Sequence, residues 1–284
     1  MSRRRPLWSV FIGPYGLYLA IFLAVPLAHV ALLSVYSYSP TRIAVPDLTG
    51  NNYAKLWDPY YAALLLRTMK LGFITTLVCI VLGYPVAYFL ARATPRTATL
   101  GLFLLIMPLM VSTVIRVFGW IVILGRNGLV NDALGLIGFE GGLKMLYTET
   151  AVILGLVNVF LPFMVLPLMA SIEGIDRKLE EAARNLGATW TQMFRRVVLP
   201  LSYPGLISGS VLVYSVSISA FVTPALMGGA DVRMVGQQIY DSMLVSYNWP
   251  FASSLALALI GITLLLLFIM LWVTRGPGRL AVAR

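Results

Sequence analysis

The chain has 284 residues, of which 59% are hydrophobic and only 11% are charged. Soluble domains carry about 25% charged residues, so the composition excludes an ordinary soluble protein and indicates an integral membrane protein. The net charge of +10 does not point to nucleic acid, because the basic residues cluster at the ends of apolar segments, where they set topology and contact anionic lipid.

Six segments are long and apolar enough to cross a bilayer as helices, which takes about 20 residues each. The first is too long for the hydrophobic region of a cleavable signal peptide, so we expect it to remain as a span. The predicted spans are residues 7–35, 64–91, 98–124, 150–172, 204–228 and 251–273. Together they predict an all-α membrane protein forming one domain over residues 1–284.

The distribution of Lys and Arg predicts the orientation of these spans. Of the 21 Lys and Arg, 13 lie in the segments on the side of both termini. The opposite side holds only Arg42, Lys55, Arg67, Arg126, Lys144 and Arg233, although its loops are longer. Positively charged loops stay in the cytoplasm. Both termini and segment 173–203 are therefore predicted to be cytoplasmic.

Residues that could form a disulfide, bind a metal or act in catalysis are scarce. Cys79 and His29 are the single cysteine and the single histidine of the sequence, and all eleven Asp and Glu lie outside the predicted spans. This argues against a disulfide or a metal site, and we predict no catalytic residue, metal or cofactor in the chain. His29 is either a packing residue or a transport residue.

Several spans carry helix-breaking and small residues. Proline removes a backbone donor and kinks a helix, and prolines occur at Pro85, Pro108, Pro162, Pro167 and Pro224. Small residues at four-residue spacing let helices approach closely, as at Gly83, Ala87, Ala91, Gly205 and Gly209. The pattern fits a bundle that rearranges, and it fits ordinary membrane packing equally well.

Segment 173–203 predicts a short amphipathic helix. Asp176 is its expected N-cap, and Gly187 follows its end, where a left-handed turn favours glycine. The apolar positions are expected on one face, and the charged positions, Glu180 among them, on the other; the apolar set is Leu179, Ala182, Ala183 and Leu186. Alanines on such a face permit insertion into a groove of another protein. The alternative is an amphipathic connector lying on the membrane.

A second short helix is predicted directly after this turn. Thr189 and Gln192 have the spacing of a capping box. An apolar face follows, and the helix is expected to end at Leu199, because the residue before Pro200 is disfavoured in helical geometry. The apolar residues are Trp190, Met193, Phe194, Val197 and Val198.

The motif Glu181-Ala182-Ala183, Gly187, Leu199-Pro200 and Pro204-Gly205 resembles the EAA loop of permease subunits in bacterial ABC importers. The resemblance implies the type I importer permease fold, similar to the methionine and maltose permeases, in the bacterial inner membrane. It implies that the residues coupling the permease to its ATPase are Glu181, Ala182, Ala183, Leu186, Gly187, Ala188, Leu199 and Pro200.

Further segments resemble the spermidine/putrescine permease branch of that family, among them residues 82–91, 161–165 and 249–251. This implies two different permease subunits, a dimer of cytoplasmic ATPases and an extracytoplasmic solute-binding protein. The most closely implied substrates are putrescine and spermidine. The branch includes relatives for other solutes, so an organic anion or zwitterion, such as an opine, a phosphonate or an amino-acid-like solute, is the alternative.

The energy for transport must be supplied by another protein chain or by an ion gradient. The sequence contains no G-x-x-x-x-G-K-[ST] phosphate-binding loop, so ATP and Mg²⁺ are expected on a separate ATPase chain. A stand-alone ion-driven transporter is a further alternative. Such a protein would be expected to carry acidic residues within its spans, and the predicted spans have none.

Candidate pathway residues are the polar and aromatic side chains of the spans. Arg116 is an intramembrane charge, which marks either a functional site or a pair with a loop carboxylate or backbone carbonyls. Asn158 either lines the pathway or forms hydrogen bonds between helices. Aromatic rings are suited to cation–π contacts with a polyamine. The full candidate set is Arg116, Tyr84, Tyr88, Asn158, Tyr214 and Phe221.

Overall fold

The computed structural model describes residues 8–137 and 142–274. Its contacts divide it into two compact units. One combines the described part of residues 1–62 with residues 238–262, and the other combines residues 63–237 with the described part of 263–284. That residues 1–284 form one permease domain stays a prediction.

Helices dominate the described residues. In chain order they are α1 (Trp8–Ser34), α2 (Asn51–Lys55), α3 (Pro59–Arg92), α4 (Pro95–Ile106), α5 (Thr113–Leu124), α6 (Leu129–Leu136), α7 (Glu149–Glu173), α8 (Arg177–Asn185), α9 (Trp190–Met193), α10 (Leu199–Leu201), α11 (Tyr203–Ile218), α12 (Val235–Tyr240) and α13 (Trp249–Thr274). Strands β1 (Tyr36–Ser39) and β2 (Ile43–Leu48) pair antiparallel in a hairpin.

The first unit holds this hairpin and α2 in place through one buried amide. The Asn52 side chain donates to the carbonyls of Ser34 and Tyr36, at 2.9 and 2.8 Å. An edge-on ring contact of 4.8 Å joins Tyr61 to Phe251 at the start of α13. The segment that connects α1 to α3 is therefore ordered, with backbone groups satisfied by a side chain.

The core of the second unit is built around α7. This helix is apolar on all sides, as expected of a helix surrounded by others, and Leu156, Met164 and Leu168 are fully buried. Glycines bring α11 close to it: a methyl group at Gly205 would lie 2.7 Å from the Pro167 carbonyl oxygen. The close approach predicted from the small residues of α11 is confirmed there.

The helices of the described residues account for the predicted number of spans. Five are long and apolar enough to cross a membrane. A sixth results when Trp190–Leu201 and Tyr203–Ile218, which meet at 66°, are taken as one bent span. The expected architecture of about six apolar helices is thus present.

The predicted third span, 98–124, is wrong as one continuous helix. Helix α4 passes into a tight 3-10 turn over Met107–Met110, and the chain is extended at Val111 before α5 begins at Thr113. Pro108 explains the break, because it has no backbone N–H to continue the helical ladder. The stretch that is long enough to span here is Thr113–Leu136, comprising α5 and α6.

The predicted fifth span, 204–228, is also interrupted. Helix α11 ends at Ile218, and a π-helical turn over Pro224–Gly228 follows a short break. Pro224 cannot donate to the carbonyl of Ala220. The Ser219 hydroxyl donates to the backbone carbonyls of Ser215 and Val216, at 3.1 and 3.2 Å, which competes with the regular helical pattern.

Candidate coupling site

Helix α8 has the ends that its sequence predicts. The Asp176 carboxylate accepts the backbone N–H of Lys178 at 3.0 Å and caps the start. Gly187 ends the helix with φ +83°, and its N–H donates to the Arg184 carbonyl at 2.9 Å. No atom lies within 4 Å of a methyl group built at Gly187. Glycine is therefore required there by backbone conformation and not by space.

The second short helix begins as predicted and ends later. Thr189 and Gln192 form the reciprocal capping box. After α9 the chain widens into a π-helical turn over Phe194–Val198, in which the N–H of Leu199 donates to the carbonyl of Phe194. The wider turn accommodates Pro200, so the helix continues to Leu201 and the predicted end at Leu199 is wrong. Leu199 packs partly buried on the core beside α7, and Pro200 is exposed.

Helix α8 and the turn after it rest on the second short helix through two alanines. Ala183 and Ala188 pack against a buried cluster of Ile175, Met193 and Val198. The two alanines of the motif therefore have different surroundings, because Ala182 is exposed. Ala183 is therefore half-buried against this cluster while Ala182 is exposed, and that both contact an ATPase stays a prediction.

The remaining apolar positions of α8 are uncovered. Leu179 is 48% exposed and Leu186 is 88% exposed, with Ala182 exposed between them. Successive helical residues differ by about 100° in direction, so these three residues share one outward stripe. An uncovered apolar stripe on an otherwise charged helix fits a contact with another protein or with the membrane surface, and that it binds an ATPase stays a prediction.

The charged face of α8 differs from the prediction at Glu180, which is buried. Its carboxylate accepts two hydrogen bonds from the Arg92 guanidinium, the shorter at 2.5 Å, and one from the Tyr88 hydroxyl at 2.9 Å. The Arg92 guanidinium also donates to the Ile175 carbonyl at 3.2 Å. Helical geometry puts Glu180 about 60° from Ala183, so the burial of Ala183 draws Glu180 inward with it.

Beside this ion pair is a cavity of about 230 Å³ whose lining is predominantly charged. The exposed motif residue Glu181 lies on its wall. The lining residues are Tyr88, Arg92, Arg177, Glu180, Glu181 and Arg184. The motif glutamate therefore stands at the rim of a charged recess, beside the apolar stripe of the same helix.

An aromatic cluster joins α3 to the second short helix. Trp190 stacks on Phe194 at 5.3 Å, and the rings of Tyr84 and Tyr88 meet Phe194 edge-on at 5.1 and 6.2 Å. The hydroxyl of Tyr84 forms a 2.6 Å hydrogen bond with that of Ser202. Tyr84 and Tyr88, expected to line a pathway, are thus engaged with segment 173–203. That they contact a solute stays a prediction.

The other candidate pathway residues lie on three different helical segments. Arg116 is on α5, where one guanidinium nitrogen donates to the Thr113 hydroxyl at 3.3 Å. Its Nε and Nη1 are buried and have no hydrogen-bond partner among the described residues. Asn158 is half-buried on α7, Tyr214 is buried on α11, and Phe221 follows the end of α11. That these residues form a pathway stays a prediction.

Sequence reasoning missed Arg92 and Glu180 as members of this site. Arg92 reads as a routine basic residue at the end of a span, and Glu180 as part of the charged face. The available signal was the spacing of Glu180 and Ala183, which places a carboxylate on the same side of the helix as a small apolar residue. Its partner, 88 residues away in sequence, could not be identified from the chain alone.

Comparison with known proteins agrees with this geometry. Residues 80–277 match the family model "Binding-protein-dependent transport system inner membrane component". The chain is 38% identical over 253 residues to the spermidine/putrescine transport system permease protein PotB of Haemophilus influenzae, covering 89% of this chain and 88% of that protein.

Solved structures share the fold at low identity. A bacterial alginate ABC transporter, in complex with an alginate pentasaccharide-bound periplasmic protein, contains a chain with a TM-score of 0.76 at 19% identity, over 98% of this chain and 96% of that chain. A chain of the MetNI methionine ABC transporter, in inward facing conformation, gives a TM-score of 0.59 at 20% identity, over 78% of this chain and 97% of that one. The expected type I importer permease fold is confirmed.

The match over residues 80–277 contains the whole of α8 and the aromatic cluster beneath it, and the relative from Haemophilus influenzae covers most of the rest. The chain therefore belongs to the family of inner membrane components of binding-protein-dependent transport systems, as a multi-pass permease of the inner membrane.

Proposed function

We propose that this chain is one permease subunit of an ATP-driven importer that moves putrescine and spermidine from an extracytoplasmic binding protein into the cytoplasm by alternating access. The observation that carries the proposal is the uncovered apolar stripe of α8, formed by Leu179, Ala182 and Leu186. Burying the exposed leucine side chains of this stripe against a partner would be favourable.

The partner that fits this stripe is a cytoplasmic ABC ATPase dimer. Leucine and alanine side chains enter a groove on its surface, and Glu181 at the rim of the charged recess forms a polar contact beside them. Gly187 sets the angle between α8 and the helix that follows. ATP and Mg²⁺ are bound and used on the ATPase, and this chain contributes no catalytic group. The movement of the ATPase is transmitted to the permease through α8.

The substrate assignment draws on the relative of Haemophilus influenzae, whose name specifies spermidine and putrescine. Aromatic rings such as those of Tyr214 and Phe221 are suited to weak cation–π contacts with an amine. Arg116 has the opposite preference, since its positive charge repels a polyamine. An importer needs only weak binding in its pathway, and a second, different permease subunit supplies the acidic groups there.

The proposal is tested with the complete complex, comprising this chain, its second permease, the ATPase and the binding protein, reconstituted in lipid vesicles. ATP hydrolysis is measured with the binding protein presented alone, with putrescine, with spermidine, or with an opine or a phosphonate. We expect stimulation by the two polyamines only. Stimulation by the anionic or zwitterionic solutes alone would overturn the substrate, and failure of the ATPase to assemble with the chain would overturn the function.

A further inference from the structure

Three parts of the second unit meet at one buried carboxylate. Glu180 lies in the first turn of α8, Arg92 is the last residue of α3, and Ile175 lies in the turn between α7 and α8. The guanidinium of Arg92 bonds both the carboxylate and the Ile175 carbonyl, and Tyr88 occupies the second carboxylate oxygen. Arg177 completes the set by donating to the backbone carbonyl of Arg92 at 3.2 Å.

Without this pair, α8 would be attached to the spans through its chain ends, a small apolar contact and the single exposed hydrogen bond of Arg177. Its N-terminal connection leads to α7 and its C-terminal connection, through Gly187, leads to α9. Between them, Ala183 and Ala188 offer little side-chain surface to the cluster beneath. The Arg92–Glu180 pair is the charged attachment by which α8 reaches α3, a helix of 34 residues.

The geometry of the ion pair favours a fixed angle between α8 and α3. Both side chains are mostly buried, at 15% exposed for Arg92 and 11% for Glu180, so water and salt screen their attraction little. Glu180 receives hydrogen bonds on both oxygens, which prevents rotation of the carboxylate. Charge-assisted bonds of this kind are the stronger ones and are directional, whereas the apolar contacts of the two alanines with the cluster beneath allow sliding.

We propose that Arg92 and Glu180, supported by Tyr88, are positioning residues that lock α8 to the end of α3, so that a push on the outward stripe of α8 moves α3 directly. The inference rests on the proposed function, in which α8 receives the movement of the ATPase. Neither residue contacts the ATPase-facing stripe, because both side chains point into the protein.

The lock is tested first by measuring the spread of distances between α3 and α8. Spin labels are attached to cysteines introduced at the exposed positions Phe89 and Lys178, in the assembled complex; the natural Cys79 is buried and remains unlabelled. We expect a narrow distance distribution in the parent protein and one at least twice as wide with Glu180→Gln. The matched control is Glu173→Gln, an exposed carboxylate at the end of α7, which is expected to leave the width unchanged.

Whether movement of α8 is passed on to α3 is tested by measuring polyamine uptake in the same variants. Glu180→Gln is expected to lower uptake at least tenfold while the ATPase remains bound, and exchanging the charges with Arg92→Glu and Glu180→Arg is expected to recover both the narrow distribution and most of the uptake. Uptake is expressed per folded complex with bound ATPase, because a role confined to stability would lower the amount of that complex and not the uptake by each complex. If Glu180→Gln does not accumulate, Tyr88→Phe, which removes one hydrogen bond, is expected to widen the distribution to a smaller extent.

An unchanged width in Glu180→Gln, or in Tyr88→Phe where the former does not accumulate, would overturn the proposal. A widened distribution with uptake within twofold of the parent would overturn it as well, and so would charge exchange that recovers neither property. Failure of the proposed function has a different signature: the parent complex would then take up no polyamine, while the label distances would still report whether the lock exists.

Discussion

Arg92 and Glu180, 88 residues apart in sequence, form a buried ion pair that joins the end of α3 to the first turn of α8. The pair faces inward, and its consequence appears on the opposite side of the helix. With Glu180 and Ala183 turned toward the protein, Leu179 and Leu186 are left uncovered. The orientation of the surface that we propose for the ATPase is therefore set by a charge pair and a small residue, and not by the apolar residues themselves.

Removing the basic partner of this pair is expected to destabilise the protein. Arg92→Ala leaves the carboxylate of Glu180 buried without its counter-charge, which costs about 3–5 kcal/mol for buried pairs. Thermal unfolding of the purified protein in detergent measures the loss. Lys178→Ala, at an exposed cation of α8, is the control and should leave the transition where it is. Equal unfolding temperatures for the two variants would contradict a stabilising role for the pair.

The exposed stripe is expected to determine the affinity for the ATPase. Leu186→Ala removes side-chain atoms that would be buried in the ATPase groove. We expect a loss of roughly 2 kcal/mol of binding free energy, which raises the dissociation constant about 30-fold. Titration of the ATPase onto vesicles containing the permease measures this constant. Asn185→Ala, on the same helix outside the stripe, should bind as the parent does. If Leu186→Ala also bound with parental affinity, the stripe would not be the contact surface.

The turn at Gly187 is expected to depend on backbone conformation alone. Its φ of +83° is disfavoured for side chains other than glycine and asparagine, by about 1–2 kcal/mol, and there is space around it. Uptake should therefore decrease in the order glycine, asparagine, alanine, valine at this position, with the protein still present in the membrane. A valine variant as active as an asparagine variant would show that the left-handed turn is not needed.

The contact between α11 and α7 is expected to tolerate no side chain at Gly205. A methyl group there would lie 2.7 Å from the carbonyl oxygen of Pro167, and backbone cannot yield as a flexible side chain can. Gly205→Leu should abolish accumulation of the folded protein in membranes, as measured by size-exclusion chromatography in detergent. Gly119→Ala, where an added methyl group meets no atom within 4 Å, should accumulate normally.

Much of the site was predictable because its signals are local. The cap at Asp176, the capping box at Thr189 and the left-handed turn at Gly187 each depend on residues within a few positions of one another, and each is confirmed. Apolar length likewise predicted the membrane spans, since crossing a bilayer imposes a minimum number of residues.

The errors arose where distant contacts override local preference. Sequence spacing put Glu180 among the exposed charges, but its burial depends on Arg92, which only the fold brings near. Pro200 was expected to stop a helix, yet a π-helical turn over Phe194–Val198 accommodates it. Continuous hydrophobicity concealed the breaks at Pro108 and after Ile218, because lipid-facing and protein-facing residues are equally apolar in a membrane protein.

The central claim is that α8 drives polyamine uptake, and uptake of labelled putrescine and spermidine into cells expressing the complete transporter tests it most directly. The parent is compared with Gly187→Val, each with unlabelled polyamines, amino acids, opines and phosphonates as competitors. We predict uptake by the parent that only polyamines compete and that the variant loses while remaining in the membrane. Absence of polyamine uptake from an assembled parent complex, or full uptake by Gly187→Val, would show that α8 does not act in this way.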